Sequence, residues 1–208
     1  MKKTLLIAGA ALAAGVVTSQ AQVYSANVVG YVNAVIPANQ LTLVANPLDD
    51  GTNTVTSLGA SLPNKSSIQV WNGTGYNLSS KGGGVWNNVL SIPVGTGFFV
   101  KSPTIVTNTF VGNVIVAPGG STTNALPAAT LVLVGASIPF TGDLNDTNLN
   151  IGPTLPNKSS IQVWNGTGFN LTSKGGGVWT VPTTISAGQG FFVKSASAVN
   201  WIETLPAN

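Results

Sequence analysis

The fold is decided by a stretch that occurs twice. Residues 62–86 read LPNKSSIQVWNGTGYNLSSKGGGVW, and residues 155–179 read LPNKSSIQVWNGTGFNLTSKGGGVW. The SIQVW segment at 67–71 and 160–164 alternates polar and apolar residues, which predicts a strand with one buried face. The Asn-Gly pair that follows it favours a two-residue type I′ turn. We therefore expect an antiparallel hairpin in each copy, pairing 67–71 with 76–80 and 160–164 with 169–173.

The duplication extends beyond this stretch in both directions. GFFVKS recurs at 97–102 and 190–195 with the same offset, and a Pro-Ala pair upstream recurs at 37–38 and 127–128. Short strands are predicted at 28–35, 41–45, 97–101 and 106–116, with one short helix at 54–62. Strands of this length between frequent turns are typical of small sandwiches and barrels. We expect an all-β fold of two tandem repeats (22–113 and 114–208), each a small antiparallel sandwich or barrel-like unit with at most one short helix.

The ends of the chain carry further signals. Residues 1–21 have two lysines, an apolar run and small residues before a cut after Ala21, which is typical of a secretory signal peptide. We expect a secreted protein, extracellular or at the cell surface, with the periplasm as an alternative, and no membrane span after the cut. The final TLPAN at 204–208 resembles the segments that precede both repeats. This third trace suggests that the middle segment serves both halves.

Composition excludes several kinds of chemistry. The 208 residues include no Cys, no His and no Arg, and only 6% are charged. Removing the two signal lysines leaves 8 − 2 = 6 lysines against 5 acids, a net charge of +1. So small a charge provides no electrostatic footprint for nucleic acid. Thiol and imidazole catalysis are excluded, and the five carboxylates are not paired as a glycosidase requires. We expect no enzyme and no cofactor.

Two further motifs are candidates for binding sites. The acidic loop at 143–150 has oxygen ligands of the kind that Ca²⁺ takes, but it lacks EF-hand spacing, so a loop of Asx turns is favoured and no metal is expected. The Lys-Gly-Gly-Gly loops at 81–84 and 174–177 place lysine before the glycines, unlike a phosphate loop. Turns that need positive φ are favoured there.

Repeated aromatic and amide residues are the candidates for ligand binding. On each SIQVW strand the Gln and Trp share the face opposite the aliphatic core. An indole beside amide groups suits a sugar ring, although aromatics at the open ends of a small core explain the same pattern. The candidate ligand-binding residues are Trp71, Trp164, Trp86, Trp179, Gln69, Gln162, Asn72 and Asn165.

Several short motifs carry a family resemblance. VYSANVVGYVN at 23–33, LTLVANPL at 41–48, VWNGTGYNL at 70–78 and GTGFFVKS at 95–102 resemble secreted two-repeat β proteins common in environmental bacteria of the Verrucomicrobia type. The resemblance covers nearly the whole chain after the signal. It implies export and an all-β fold, and it implies no catalytic residue.

These observations favour a non-enzymatic secreted structural or surface protein that self-assembles through strand edges. In that hypothesis the first strand of one molecule completes the end of the next. Its partners are other copies of itself or a cell-surface or matrix polymer. The alternative is a bivalent carbohydrate-binding module with a glycan ligand. The candidate assembly residues are Val28, Val29, Tyr31, Trp201 and Ile202.

Overall fold

A computed structural model describes residues 29–206, and nearly all of its regular structure is β-strand. The predicted signal peptide and Val28 lie outside the described residues. The first repeat contains β1 (Val29–Ile36), β2 (Leu41–Ala45), α1 (Val55–Leu58), β3 (Ser67–Trp71), β4 (Tyr76–Gly82), β5 (Val85–Trp86), β6 (Gly97–Lys101) and β7 (Val106–Asn113). The second contains β8 (Ser121–Leu126), β9 (Leu131–Gly135), β10 (Gly142–Asp143), α2 (Ile151–Thr154), β11 (Ser160–Trp164), β12 (Phe169–Gly175), β13 (Val178–Trp179), β14 (Thr184–Ile185), β15 (Gly190–Lys194) and β16 (Val199–Thr204).

The two repeats have the same strand order. In the first repeat a five-stranded sheet runs β2-β6-β3-β4-β5, and in the second the equivalent sheet runs β9-β15-β11-β12-β13. Every pair of neighbouring strands in these sheets is antiparallel. Each repeat adds a two-stranded ribbon, β1 with β7 and β8 with β16, and the short strands β10 and β14 pair in the second repeat. The prediction of an all-β antiparallel fold with short helices is confirmed.

Each ribbon covers one face of its own sheet. Ile36 and Phe110 of the first ribbon are buried with Ile68 and Phe98 of the sheet. In the second repeat the core contains the equivalent sheet residues and Trp201 of the ribbon. Each repeat is thus a two-layer sandwich, and the predicted assignment of Ile68 to the core face is confirmed.

The ribbons correct the expectation of a shared middle segment. β1 pairs with β7 along all eight of its residues, and β8 pairs with β16 along all six. Each repeat therefore contains a complete ribbon. Neither terminal strand needs a strand from another molecule to form it. Each ribbon has only two strands, so β1 and β16 are each paired along one edge, and the outer edge of β1 makes no backbone hydrogen bond within residues 29–206.

The predicted hairpin forms, but its turn differs from the prediction. Asn72 does not adopt positive φ, whereas Gly73 has φ of 101°. The Asn72 carboxamide oxygen instead accepts hydrogen bonds from the backbone N–H of Thr74 and Gly75, at 3.1 and 2.8 Å, which closes a four-residue loop. Positive φ at two successive residues occurs at Gly83 and Gly84, between β4 and β5. The glycine loop is therefore the tighter turn.

Candidate functional site

The mixed faces of the two sheets pack against each other. Six aromatic residues meet there in edge-to-face contacts, and we call them the aromatic seam. The Trp71 ring lies 5.4 Å from that of Phe192, and Phe99 lies 5.4 Å from Trp164. The remaining members of the aromatic seam are Tyr76 and Phe169. Such contacts contribute about 0.5–1.5 kcal/mol each beyond area burial. The two halves are therefore joined by a shared hydrophobic interface.

Reciprocal hydrogen bonds show that this interface has two-fold character. The Trp71 indole N–H donates to the Leu131 carbonyl at 3.1 Å, and the Trp164 indole N–H donates to the Leu41 carbonyl at 2.9 Å. Each tryptophan thus bonds the equivalent residue of the other repeat. An interface in which the same patch meets itself is isologous, as in a symmetric dimer. The chain is in effect a covalent dimer of one sandwich.

Small residues let the backbones approach closely beside the aromatic seam. The Ala45 N–H donates to the Gly188 carbonyl at 2.8 Å, and the Gly135 N–H donates to the Gly95 carbonyl at 2.9 Å. A Cβ atom added at Gly135 would lie 2.1 Å from the Ala45 Cβ. Sequence reasoning missed this role, although the glycines stand at strand ends where a close approach is a common reason for glycine.

The structure does not bring the eight candidate ligand-binding residues to one surface. Trp71 and Trp164 are half-buried in the aromatic seam, and Gln69 and Gln162 are half-buried on the same strands. Trp86 packs in the first core, and Trp179 packs against the second. Neither pair presents an open indole to each side of the molecule, so the bivalent arrangement lacks its two platforms.

Asn72 and Asn165 are exposed, but each side chain is hydrogen-bonded to residues of its own hairpin. The oxygen of Asn165 accepts from the backbone of Thr167 and Gly168, and its nitrogen donates to Asn170 at 2.9 Å. Asn72 makes the equivalent bonds in the first repeat. These side chains close turns and are less free to bind a ligand than their exposure suggests.

The lysines of the glycine loops have a structural role. The Lys81 ammonium donates to the carbonyls of Gly59, Ala60 and Leu62 at 3.3, 2.9 and 2.8 Å. It also lies 5.8 Å from the centre of the Trp86 ring. Lys174 repeats the arrangement on the carbonyls of the second repeat. A cation at the carbonyl end of a helical turn satisfies groups that have no partner within the helix.

The aspartates of the two polar loops form Asx turns. Asp143 accepts from the backbone N–H of Asn145 at 2.7 Å, and Asp146 accepts from Asn148 at 2.8 Å. Burial alone would raise the pKa of Asp50, but hydrogen bonds from Asn53, Ser57 and Thr52 hold it below the ordinary value. Within residues 29–206 there is no group of three or more acidic, His or Cys side chains that could hold a metal.

Glu203 is a buried carboxylic acid that sequence reasoning did not single out as a site residue. Its side chain is only 1% exposed, inside the second repeat. It accepts from Asn124 Nδ2 at 2.8 Å and from the backbone N–H of Ser137 and Ile138 at 3.0 and 3.4 Å. Burial raises its pKa to about 7, although these hydrogen bonds oppose the rise. Its alternation with buried Trp201 along β16 was the available signal.

The exposed face of the β1–β7 ribbon carries large apolar side chains. Val29, Tyr31, Val35 and Val111 are 68, 73, 57 and 57% exposed. Tyr31 and Val111 stand directly opposite each other. Of the candidate assembly residues, Val29, Tyr31 and Ile202 are exposed.

The prediction that Trp201 is an assembly residue is wrong. It is 0% exposed, and its indole N–H donates to the Leu149 carbonyl inside the second repeat. An indole in this position stabilises its own core and is not available to another molecule.

A cleft of about 380 Å³ opens at one edge of the interface between the repeats. Its walls come from β1 and β2 on one side and from the loops after β11 and before β15 on the other. Polar side chains at its surface are Asn33, Gln40, Thr42, Asn165 and Gln189, beside Trp164. None of its lining residues is charged.

Comparisons with protein-family models, with curated proteins and with solved structures found no match. Among residues 29–206, no helix has the length and apolar character needed to cross a membrane.

Proposed function

We propose that this protein is an exported, non-enzymatic structural or surface protein, and that its copies associate through the exposed face of the β1–β7 ribbon. The observation that carries the proposal is the row of large apolar side chains on that face. The polar pair Asn33–Thr109 separates Val35 from Val29, Tyr31 and Val111 on this face. A cluster of exposed apolar side chains commonly marks an interaction site. The partner we propose is a second copy of the same chain.

The ribbon of the second repeat provides an internal comparison. At the positions equivalent to Tyr31, Val35 and Val111 it carries Ser121, Ala125 and Thr204. The two ribbons share their pairing pattern, so the backbone does not demand large apolar residues. The second ribbon has one large apolar side chain on its exposed face, Ile202 at 43% exposure, against four on the first ribbon, and this excess supports a role outside the fold.

Charge favours a second copy as the partner. Neither β1 nor β7 contains a charged residue or a proline. Natural exposed strands commonly carry lysine or proline, which prevent edge-to-edge association. The expected net charge of the exported chain, +1, also places little repulsion between copies. In addition, no backbone group of β1 bonds to any strand but β7 within residues 29–206.

The roles of the polar side chains support a non-catalytic function. Lys81 and Lys174 are held by backbone carbonyls, Asp143 and Asp146 form turns, and Glu203 is enclosed. These groups act on the protein's own backbone. A protein arranged in this way works through packing and display of surface.

The proposal is tested by sedimentation velocity on the exported chain at rising concentration. We expect concentration-dependent association of the wild type and a monomer for the double variant Tyr31→Lys, Val111→Lys, because two ammonium groups on the face repel those of a second copy. The matched control is Ala125→Lys, Asn200→Lys, which changes an exposed cross-strand pair on the other ribbon.

Circular dichroism confirms that each variant keeps its β structure. A wild type that stays monomeric at millimolar concentration would refute the proposal. Equal association of the two lysine double variants would show that the β1–β7 face is not the contact.

A further inference from the structure

We infer that the cleft between the repeats binds a neutral carbohydrate, with Gln40 and Gln189 as its main polar contacts. This inference does not rest on self-association, although Asn33 and Val35 of the exposed β1 face also line the cleft. It also differs from the bivalent arrangement, because it is one site built from both halves.

Unused hydrogen-bonding groups point into or beside the cleft. The Gln40 carboxamide makes no hydrogen bond to any of residues 29–206. Gln189 accepts from the Ser186 N–H at 2.9 Å, which leaves its NH₂ group without a partner in the same part of the chain. Asn33 likewise accepts from Thr109 at 2.7 Å and keeps its NH₂ group. Within the described residues, the NH₂ groups of Gln189 and Asn33 and both polar groups of the Gln40 carboxamide are therefore free to bind a ligand.

The chemistry of these groups fits hydroxyls. A carboxamide carries a donor and an acceptor side by side, and a sugar hydroxyl is also both donor and acceptor. Because no residue that lines the cleft is charged, nothing there would compensate an anionic or cationic ligand. The half-buried side chains of Trp164 and Leu41 supply apolar surface for the C–H faces of a sugar ring. The volume of about 380 Å³ falls within the range of small-molecule sites.

The other repeat shows that the amides are not needed for folding. The equivalent positions around Trp71 place Thr130 where the first cleft has Gln40, and Thr96 where it has Gln189. The backbone contacts are the same on both sides, since Val44 bridges to Gln189 and Val134 bridges to Thr96. Long amides therefore occur in one of two equivalent places, as a ligand site would require.

The experiment compares a double variant in the cleft with a double variant at the equivalent positions on the opposite side. A glycan array carrying neutral oligosaccharides of glucose, mannose, galactose and xylose identifies a bound sugar, and titration calorimetry measures its affinity. Gln40→Thr with Gln189→Thr should weaken binding about tenfold or more, since two hydrogen bonds are lost. The matched variant Thr96→Ala with Thr130→Ala, on the opposite side, should leave affinity unchanged.

The titration is repeated in the Tyr31→Lys, Val111→Lys background, where association through the ribbon is blocked. Binding that persists there supports the cleft independently of self-association. The inference fails if no neutral sugar binds at millimolar concentration, or if the two threonine substitutions leave the affinity unchanged.

Discussion

Replacing Glu203 with glutamine should remove a pH dependence of stability that the wild type shows between pH 4.5 and 7. The Glu203 carboxyl is enclosed by Asn124, Ser137 and Ile138, none of which carries a positive charge. Burial raises its pKa from 4.5 to about 7. In this pH range the folded protein holds a proton that the unfolded chain has released.

The sign of the effect follows from proton binding. Because the folded state binds more protons here, the free energy of unfolding falls as pH rises. The stabilisation is complete below pH 4.5 and is lost as pH passes about 7. At about 1.4 kcal/mol for each pKa unit, the loss amounts to about 3 kcal/mol. For a domain of this size that is a large part of the total stability.

The composition makes this measurement clean. The chain has no histidine, so no other side chain ordinarily titrates between pH 5 and 7. Asp50 has a lowered pKa, so its own contribution changes below pH 4. A stability change between pH 5 and 7 that the Glu203→Gln variant lacks is therefore assigned to Glu203.

Urea unfolding followed by circular dichroism at a series of pH values provides the test. We expect the wild-type free energy of unfolding to decline by about 3 kcal/mol over the range and the Glu203→Gln profile to be nearly flat. Glutamine keeps the shape and one acceptor oxygen without the charge. A wild type that is most stable at pH 7, or a variant with the same slope, would refute the reasoning.

Two other substitutions test contacts that hold the repeats. Gly135→Ala places a Cβ 2.1 Å from the Ala45 Cβ, so thermal unfolding should show a loss of about 1–3 kcal/mol in the free energy of unfolding. The control Gly168→Ala, whose Cβ would have nothing within 4 Å, should cost far less. Equal losses for the two variants would contradict the close approach of the backbones at Gly135. Lys81→Met removes the cation from three carbonyls and should cost about 1–2 kcal/mol, against a change within about 0.5 for exposed Lys101→Met. A neutral Lys81→Met would show that the lysine does not stabilise the turn.

Much of the local structure was predictable because it depends on neighbouring residues. Alternation assigned Ile68 to the core and Trp71 to the opposite face, and the structure confirms both. The turn at Asn72 was mispredicted because its side chain competes with the backbone for the same N–H groups. The preference of Asn-Gly pairs for positive φ does not take account of hydrogen bonds from the backbone to the asparagine side chain.

Long-range contacts were not predictable in the same way. An amphipathic strand shows which side chains share a face, but it does not show what covers that face. The pattern at Trp71 fitted both a sugar platform and an aromatic at the open end of a small core, and in the structure Trp71 contacts the other repeat. The pairing of β1 with β7 joins residues that are 106 − 36 = 70 to 113 − 29 = 84 positions apart, and no local pattern specifies such a pairing. The burial of Glu203 likewise depends on distant residues, since its hydrogen-bond partners are Asn124, Ser137 and Ile138.

The central claim is that the β1–β7 face, and not its counterpart in the second repeat, meets a second copy of the chain. Since the sequence has no cysteine, one introduced cysteine accepts one spin label. Thr107→Cys and Asn200→Cys are exposed, equivalent positions on the two ribbons. Electron spin resonance should detect dipolar coupling between molecules for the label at 107 and none for the label at 200. No coupling at 107, or equal coupling at both positions, would contradict the account.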